Sequence, residues 1–427
     1  MIGAIRRLDL TEGQIYTTAI GLSLAILLAV AGLPAVLRAR TLPARASANP
    51  LTGRAPSANA AATEAANPAT GASPGGGGGA PSPAHAPIGV PGASGPPPTI
   101  ALPADGLPLL SITTFAFVGS PGAPGGLAVG RNGTIYVTTD NGTAHGDAGA
   151  SHVFSYDAHG SRIGDRVIEG QPDGHVNGLT GAAVDPISGA VAVLQPDAPR
   201  ILSIGEPPDG QRLLAEIPDL PACLVSLGAD PCQQGAEDRT PFPTSAAFDA
   251  LGNLFVADPA QDTIWRLRPG AQLPEVWFQS PYFTIGDGPF GLVVDDASIE
   301  FTVGTTLDPA APTAGGLYRV AVKPDGAAGP LTLVSVFGRG DEPGPLTVGS
   351  SGTAYVVLRS TGAILAITPA GAESWRITPP GSGPIPLDAP SALALIQGQL
   401  LVANKGSGPD PAHWAVLAVT VNEGPRQ

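Results

Sequence analysis

The chain has 427 residues, 43% of them hydrophobic and 13% charged, which is enough apolar material for one large domain or two ordinary ones. Its 35 Asp and Glu against 21 Lys and Arg leave a formal charge of −14, and this argues against nucleic acid as a partner, because phosphate binding needs a positive surface. No phosphate loop, His-Glu-x-x-His or Cys-x-x-Cys occurs, so the enzyme classes built on those motifs are disfavoured.

Residues 1–17 are a flank carrying Arg6 and Arg7. Thr18 to Leu37 follow without a charge, and a run of about 20 such residues is the length that spans a hydrocarbon core. A signal peptide would have a shorter apolar region ending at a small-residue cleavage site, whereas Ala44–Arg45–Ala46 lies well past the run. The segment therefore reads as a retained transmembrane anchor. Residues 38–105 are almost entirely Ala, Pro, Gly and Ser, too poor in apolar mass to offset the entropy of ordering, and are expected to form a disordered stalk.

Orientation is argued from two sides. Arg38, Arg40 and Arg45 after the span lean toward a cytoplasmic body by the positive-inside rule. Cys223 and Cys232, the only cysteines, stand close together, and such a pair suits a disulfide in an oxidising compartment; two unpaired thiols are the alternative. With the long stalk, which holds a domain off a cell surface, the pair favours an extracytoplasmic body.

The body, residues 106–427, is a repeat. Its clearest copy runs from Pro241 to Gly270: an apolar Ser245–Phe248, a turn over Asp249–Asn253, a second apolar Leu254–Ala257, then an alternating Thr263–Leu267. Related copies begin at Pro124, Asn177, Pro289, Gly344 and Pro390, spaced roughly 45–65 residues apart, in the range of propellers and solenoids. Third strands are expected over His152–Tyr156, Ile201–Ile204, Ile264–Leu267, Leu317–Val320, Ile364–Ile367 and Ala415–Val419. Outer strands are expected over Arg162–Ile168, Arg212–Ile217, Glu275–Phe278, Leu331–Phe337 and Glu373–Ile377, one fewer than the blades need. Leu110–Phe117, a strand without a blade, is the candidate to complete the last one and close the ring. The expected fold is an all-β, six-bladed β-propeller.

Hairpin geometry locates the working face. The start of each innermost strand and the end of the second lie at one end of a blade, so Asn177, Asp287, Glu342 and Asp388 should crowd one channel mouth with Asp140, Asp258 and Asn404. Converging oxygens suit a hard cation such as Ca²⁺, with Asn177, Asp287, Asp388 and Glu342 as candidate ligands. His175 and His152 are candidate bases because imidazole titrates near neutrality, although loop histidines are usually solvated. Asp258 is equally a turn acceptor, and Asp185, Asp249 and Asp295 read as turn residues at the opposite face. Trp265, Trp375 and Trp414 read as core between blades.

The pattern Pro-x-x-Ala-Ala-x-Asp-x-x-Gly-Asn-Leu-Phe-Val-Ala-Asp, followed by Ile-Trp-Arg-Leu-x-Pro-Gly, resembles blades of the senescence marker protein/gluconolactonase family. It is equally similar to NHL-repeat and strictosidine-synthase-like propellers. The resemblance implies a metal-dependent lactone or ester hydrolase, with Asn177 in Asn-Gly and Asp287 in Asp-Gly matching two of the family's metal ligands and Asp287 and His175 as catalytic candidates. The family's Glu-Gly-Pro is missing, since Ser120–Pro121–Gly122 stands in its place. A non-catalytic NHL-type propeller that presents the same mouth to a protein, peptide or glycan is the competing expectation, and the expected partner at the channel mouth is a small molecule or a glycan or peptide ligand.

Overall fold

The computed structural model describes residues 107–426, apart from residues 120, 142–148, 173–176, 206–209, 224–230, 234–237, 284–286, 296 and 311. The expected membrane span, the stalk and His175 lie outside the described residues. Among the described residues no helix is long and apolar enough to cross a membrane.

Strand β1 (Ile112–Phe117) precedes six consecutive antiparallel meanders. Blade 1 holds β2 (Ala123–Val129), β3 (Ile135–Asp140), β4 (His152–Tyr156) and β5 (Arg162–Val167). Blade 2 holds β6 (Gly181–Val184), β7 (Val191–Gln195), β8 (Arg200–Ile204) and β9 (Gln211–Glu216). Blade 3 holds β10 (Ser245–Phe248), β11 (Leu254–Asp258), β12 (Thr263–Leu267) and β13 (Glu275–Gln279). Blade 4 holds β14 (Pro289–Val294), β15 (Ser298–Val303), β16 (Gly316–Val322) and β17 (Ala328–Val336). Blade 5 holds β18 (Pro343–Val348), β19 (Ala354–Leu358), β20 (Ile364–Ile367) and β21 (Glu373–Ile377). Blade 6 holds β22 (Pro390–Ile396), β23 (Gln399–Asn404) and β24 (Ala415–Thr420), and β1 pairs with β24 as its outer strand. The chain is a six-bladed β-propeller closed by its first strand, as the repeat predicts.

Turn chemistry sets the registers. Between β10 and β11, Asp249 Oδ1 accepts the amides of Leu251 (3.0 Å) and Asn253 (2.8 Å), and Gly252 takes φ +82°, which a side-chain-bearing residue rarely adopts. Phe248 then falls opposite Leu254. Asp185 and Asp295 hold the equivalent turns of blades 2 and 4.

Each strand serves two seams. In β11, Leu254 and Val256 face the core shared with blade 2, while Phe255 and Ala257 face the core shared with blade 4. One blade therefore has two apolar faces and cannot bury either alone, which is why the blades exist only as a ring. Trp265 and Trp414 are buried and Trp375 packs against the core between blades 5 and 6, as the sequence indicates.

The innermost strands crowd the axis. The pairings of β2, β14, β18 and β22 shift register just after their first proline. At Gly125 a Cβ would stand 2.0 Å from the Leu179 carbonyl oxygen of the next blade, so no side chain fits. Side-chain hydroxyls then latch blade to blade: Thr180 onto Pro243 O (2.6 Å), Thr244 onto Phe290 O (2.6 Å), Thr302 onto Gly344 O (2.6 Å) and Ser391 onto Pro124 O (2.7 Å).

The inner strands enclose a channel cavity of about 260 Å³ lined by residues such as Gly181, Ser245, Phe290 and Thr347. Its lower end is met by the C-terminal tail. Pro425 bridges to Gly349 and lines the cavity, and Arg426 reaches Asp295 (2.8 Å) and the buried Glu300 (3.2 Å) of blade 4. The tail crosses from blade 6 under blade 5 to blade 4.

Candidate functional site at the channel mouth

The hairpin argument holds at the mouth: the residues just before the innermost strands and just after the second strands share one end of the ring. Two of the four residues expected to hold a cation, Asn177 and Asp388, are hydrogen-bonded to the protein itself. Asn177 is buried, and its Nδ2 donates to Gly149 O (2.8 Å) and Pro172 O (3.1 Å). Asp388 Oδ2 accepts the Ser407 amide (3.0 Å) and hydroxyl (3.2 Å) and lies 3.1 Å from His413 Nδ1. Burial alone would raise the Asp388 carboxyl, but Ser407 and His413 together hold it below the usual carboxylate range. Asn404 Oδ1 accepts the Asp388 amide (2.7 Å), and Asp140 pairs with Lys405.

Asp258 is a turn acceptor. Its carboxylate is fully buried and takes bonds from Phe242 N (3.0 Å), Gln261 N (3.3 Å), Gln261 Nε2 (2.9 Å) and Trp265 Nε1 (3.3 Å). Burial raises its carboxyl, partly offset by those donors. His152 pairs with Asp165 (2.7 Å) across β4 and β5, the outer half of blade 1.

Asn177, Asp287, Glu342 and Asp388 thus belong to four different blades, and the Asn177 amide nitrogen and the Asp388 carboxylate are engaged by this chain's own groups. Among the described residues no group of three or more His, Cys, Asp or Glu is arranged to hold a metal ion.

The seam between blades 4 and 5 differs. Asp287 precedes β14, and its carbonyl accepts the Gly304 amide (2.8 Å) while its carboxylate has no hydrogen-bond partner among the described residues. Arg359 follows β19, and its guanidinium lies over the Phe290 ring, 4.3 Å from the centroid. Its amide donates to Glu342 O (2.9 Å), but its guanidinium makes no hydrogen bond among the described residues. Among the described residues the one carboxylate in ion-pair range is that of half-exposed Glu342, at 3.8 Å. Glu342 itself sits at φ +49°, a strained conformation for a non-glycine residue.

Two further residues at the mouth escaped the sequence reading. Asp262, after β11, has φ +54°, is fully buried, and has no donor in hydrogen-bond geometry at either oxygen. Burial, then the charge of Asp258, pushes its carboxyl up to about 8; Arg239 pulls the other way and Asp287 adds to the rise. Arg359 occupies the position that holds Asp140 in blade 1 and Lys405 in blade 6, one residue past the position of Asp258 and Asn404. Aligning the repeats on that position, rather than searching it for acids, would have found it.

The insertion between β9 and β10 covers blade 3 at this end. Cys223 and Cys232 form a disulfide within it, as expected. Gln233 Nε2 ties the same loop to Leu220 O (2.6 Å) and Arg239 O (2.8 Å), and Leu220 N donates to Gln261 Oε1 (2.6 Å) beside Asp258.

No family model matches the sequence, and no curated protein does. Among solved structures the propeller resembles virginiamycin B lyase from Staphylococcus aureus, at 12% identity and TM-score 0.48 over 73% of this chain and 99% of that one. It also resembles a gluconolactonase from Xanthomonas campestris, at 14% identity and TM-score 0.46 over 71% of this chain and 87% of that one. Nidogen, solved with laminin, matches at 15% identity and TM-score 0.42 over 62% of this chain and 83% of that one. These are distant likenesses of fold.

Proposed function

We propose that the chain is a ligand-binding propeller, held outside the cytoplasm by its N-terminal anchor, that takes a small molecule or the end group of a glycan or peptide at the upper mouth. The observation that carries this reading is the pair Asp287 and Arg359: two charged side chains at the upper mouth, neither of which makes a side-chain hydrogen bond among the described residues. The Cys223–Cys232 disulfide supports an oxidising compartment. The test is to screen the full-length protein in detergent on glycan and peptide arrays beside Arg359→Ala and Asp287→Asn. Ligands bound by the wild type and lost in both variants support the reading; an empty screen, or ligands that both variants retain, overturns it.

A second reading, lactone or ester hydrolysis, draws support from the Asp287–Gly288 match and from the unengaged Asp287 carboxylate, which could act as a base. The engagement of the Asp388 carboxylate weighs against a calcium-dependent version of it. Gluconolactone turnover that collapses in Asp287→Asn would favour hydrolysis over binding alone.

A further inference from the structure

Asp287 and Arg359 face each other across Gly304. A Cβ built on Gly304 would lie 3.3 Å from Arg359 Nη2 and 3.4 Å from Asp287 Oδ1, yet the two groups form no ion pair. An acid and a base stand on either side of a position that bears no side chain. Stacking on Phe290 holds the guanidinium in place, and the Arg359 stem packs so closely on Gly344 that a Cβ there would meet Cγ at 2.5 Å. A stacked, fixed guanidinium whose N–H groups make no hydrogen bond among the described residues is arranged for a carboxylate, which it can grip with two parallel hydrogen bonds.

The surrounding charge narrows the ligand. A bare anion on Arg359 would meet repulsion from Asp287, from Glu342 3.8 Å off the guanidinium, and from the chain's excess of acids. A ligand that brings its own donor converts Asp287 from a repulsive neighbour into an acceptor. Resting on the reading of the mouth as a ligand site, we propose that the seam of blades 4 and 5 binds a small carboxylic acid bearing a hydroxyl or amino group on the carbon next to the carboxylate. Its carboxylate sits on Arg359 and its donor on Asp287.

The test is calorimetric titration of the full-length protein with L-lactate, glycine and acetate. Lactate or glycine is expected to bind at least about tenfold more tightly than acetate, a difference of about 1.4 kcal/mol. Which of the two binds tells whether the donor is a hydroxyl or an amine. Arg359→Ala should abolish binding, Arg359→Lys should weaken it by losing the paired hydrogen bonds, and Asp287→Asn should reduce the preferred acid toward the level of acetate. Binding equal to that of acetate, binding unchanged in both Arg359 variants, or no binding of either acid overturns the proposal. Array ligands that depend on Arg359 while lactate and glycine fail would overturn the acid class and leave the mouth reading standing. An empty array together with failed titrations would end both.

Discussion

The Ser391 hydroxyl of blade 6 donates to the Pro124 carbonyl of blade 1 at 2.7 Å, across 267 residues of sequence. Three of the other seams between blades carry a Thr hydroxyl bonded to a carbonyl in, or just before, the neighbour's innermost strand at 2.6 Å, so this contact is the ring-closing member of a series. Ser391→Ala removes the donor and leaves the Pro124 carbonyl short of a partner near the axis. The expected loss is about 1 kcal/mol, read as a lowered urea midpoint with an unchanged slope.

Strand β1 is the second closure device. Ile112 and Ala116 are buried, and β1 covers the edge of β24 along five paired positions from Ile112–Val419 to Phe117–Ala415. A chain beginning at residue 107 should fold. One beginning at residue 121 should expose the β24 edge and aggregate or melt early. Size-exclusion chromatography and thermal melting of the two chains decide it, and equal melting temperatures would show that β1 contributes nothing to closure.

Asp262 makes stability depend on pH in a definite direction. Its carboxyl is raised to about 8 in the folded chain by burial and then by Asp258, whereas an unfolded Asp titrates near 3.9. Between about pH 4 and about pH 8 the unfolded chain has released this proton and the folded chain still holds it. The group's contribution therefore becomes steadily less favourable as pH rises through that window, and levels off above it. Asp262→Asn keeps the shape and tolerates the left-handed backbone, so it should match the wild type near pH 4 and exceed it increasingly toward pH 8, with an upper bound on the order of several kcal/mol. Urea unfolding of both proteins across that range measures the gap; a constant gap would refute the assignment.

The disulfide should matter locally. Cys223 and Cys232 are 9 residues apart, and closing so short a loop is worth about 2–3 kcal/mol at most in the chain-entropy model. Gln233 and Gln261 hold the same insertion through side-chain bonds to its backbone. Reduction should raise hydrogen exchange in the insertion while the blade amides keep their protection. Global unfolding on reduction would show that the bridge supports the ring itself.

The sequence by itself determined the ring. Two-fold alternation, turn residues such as Asp249 and Gly252, and the recurrence of the pattern are local, so strand order, blade count, the pairing of Leu110–Phe117 with the last blade and the burial of the tryptophans were all legible. Boundaries moved only slightly, as where β17 starts at Ala328 rather than Leu331. Which mouth residues remain available for a ligand was not legible, because that depends on partners brought from other blades and loops. Asp388 is engaged by Ser407 and His413, Asn177 by Gly149 and Pro172, and Asp140 by Lys405 some 265 residues away. Arg359 makes no side-chain hydrogen bond among the described residues: Phe290, from the preceding blade, offers it a ring face, and Glu342 stands 3.8 Å away. Spacing along a chain can bring candidates to one end of a propeller. Only the closed ring decides which of them pair with each other and which are left facing the mouth.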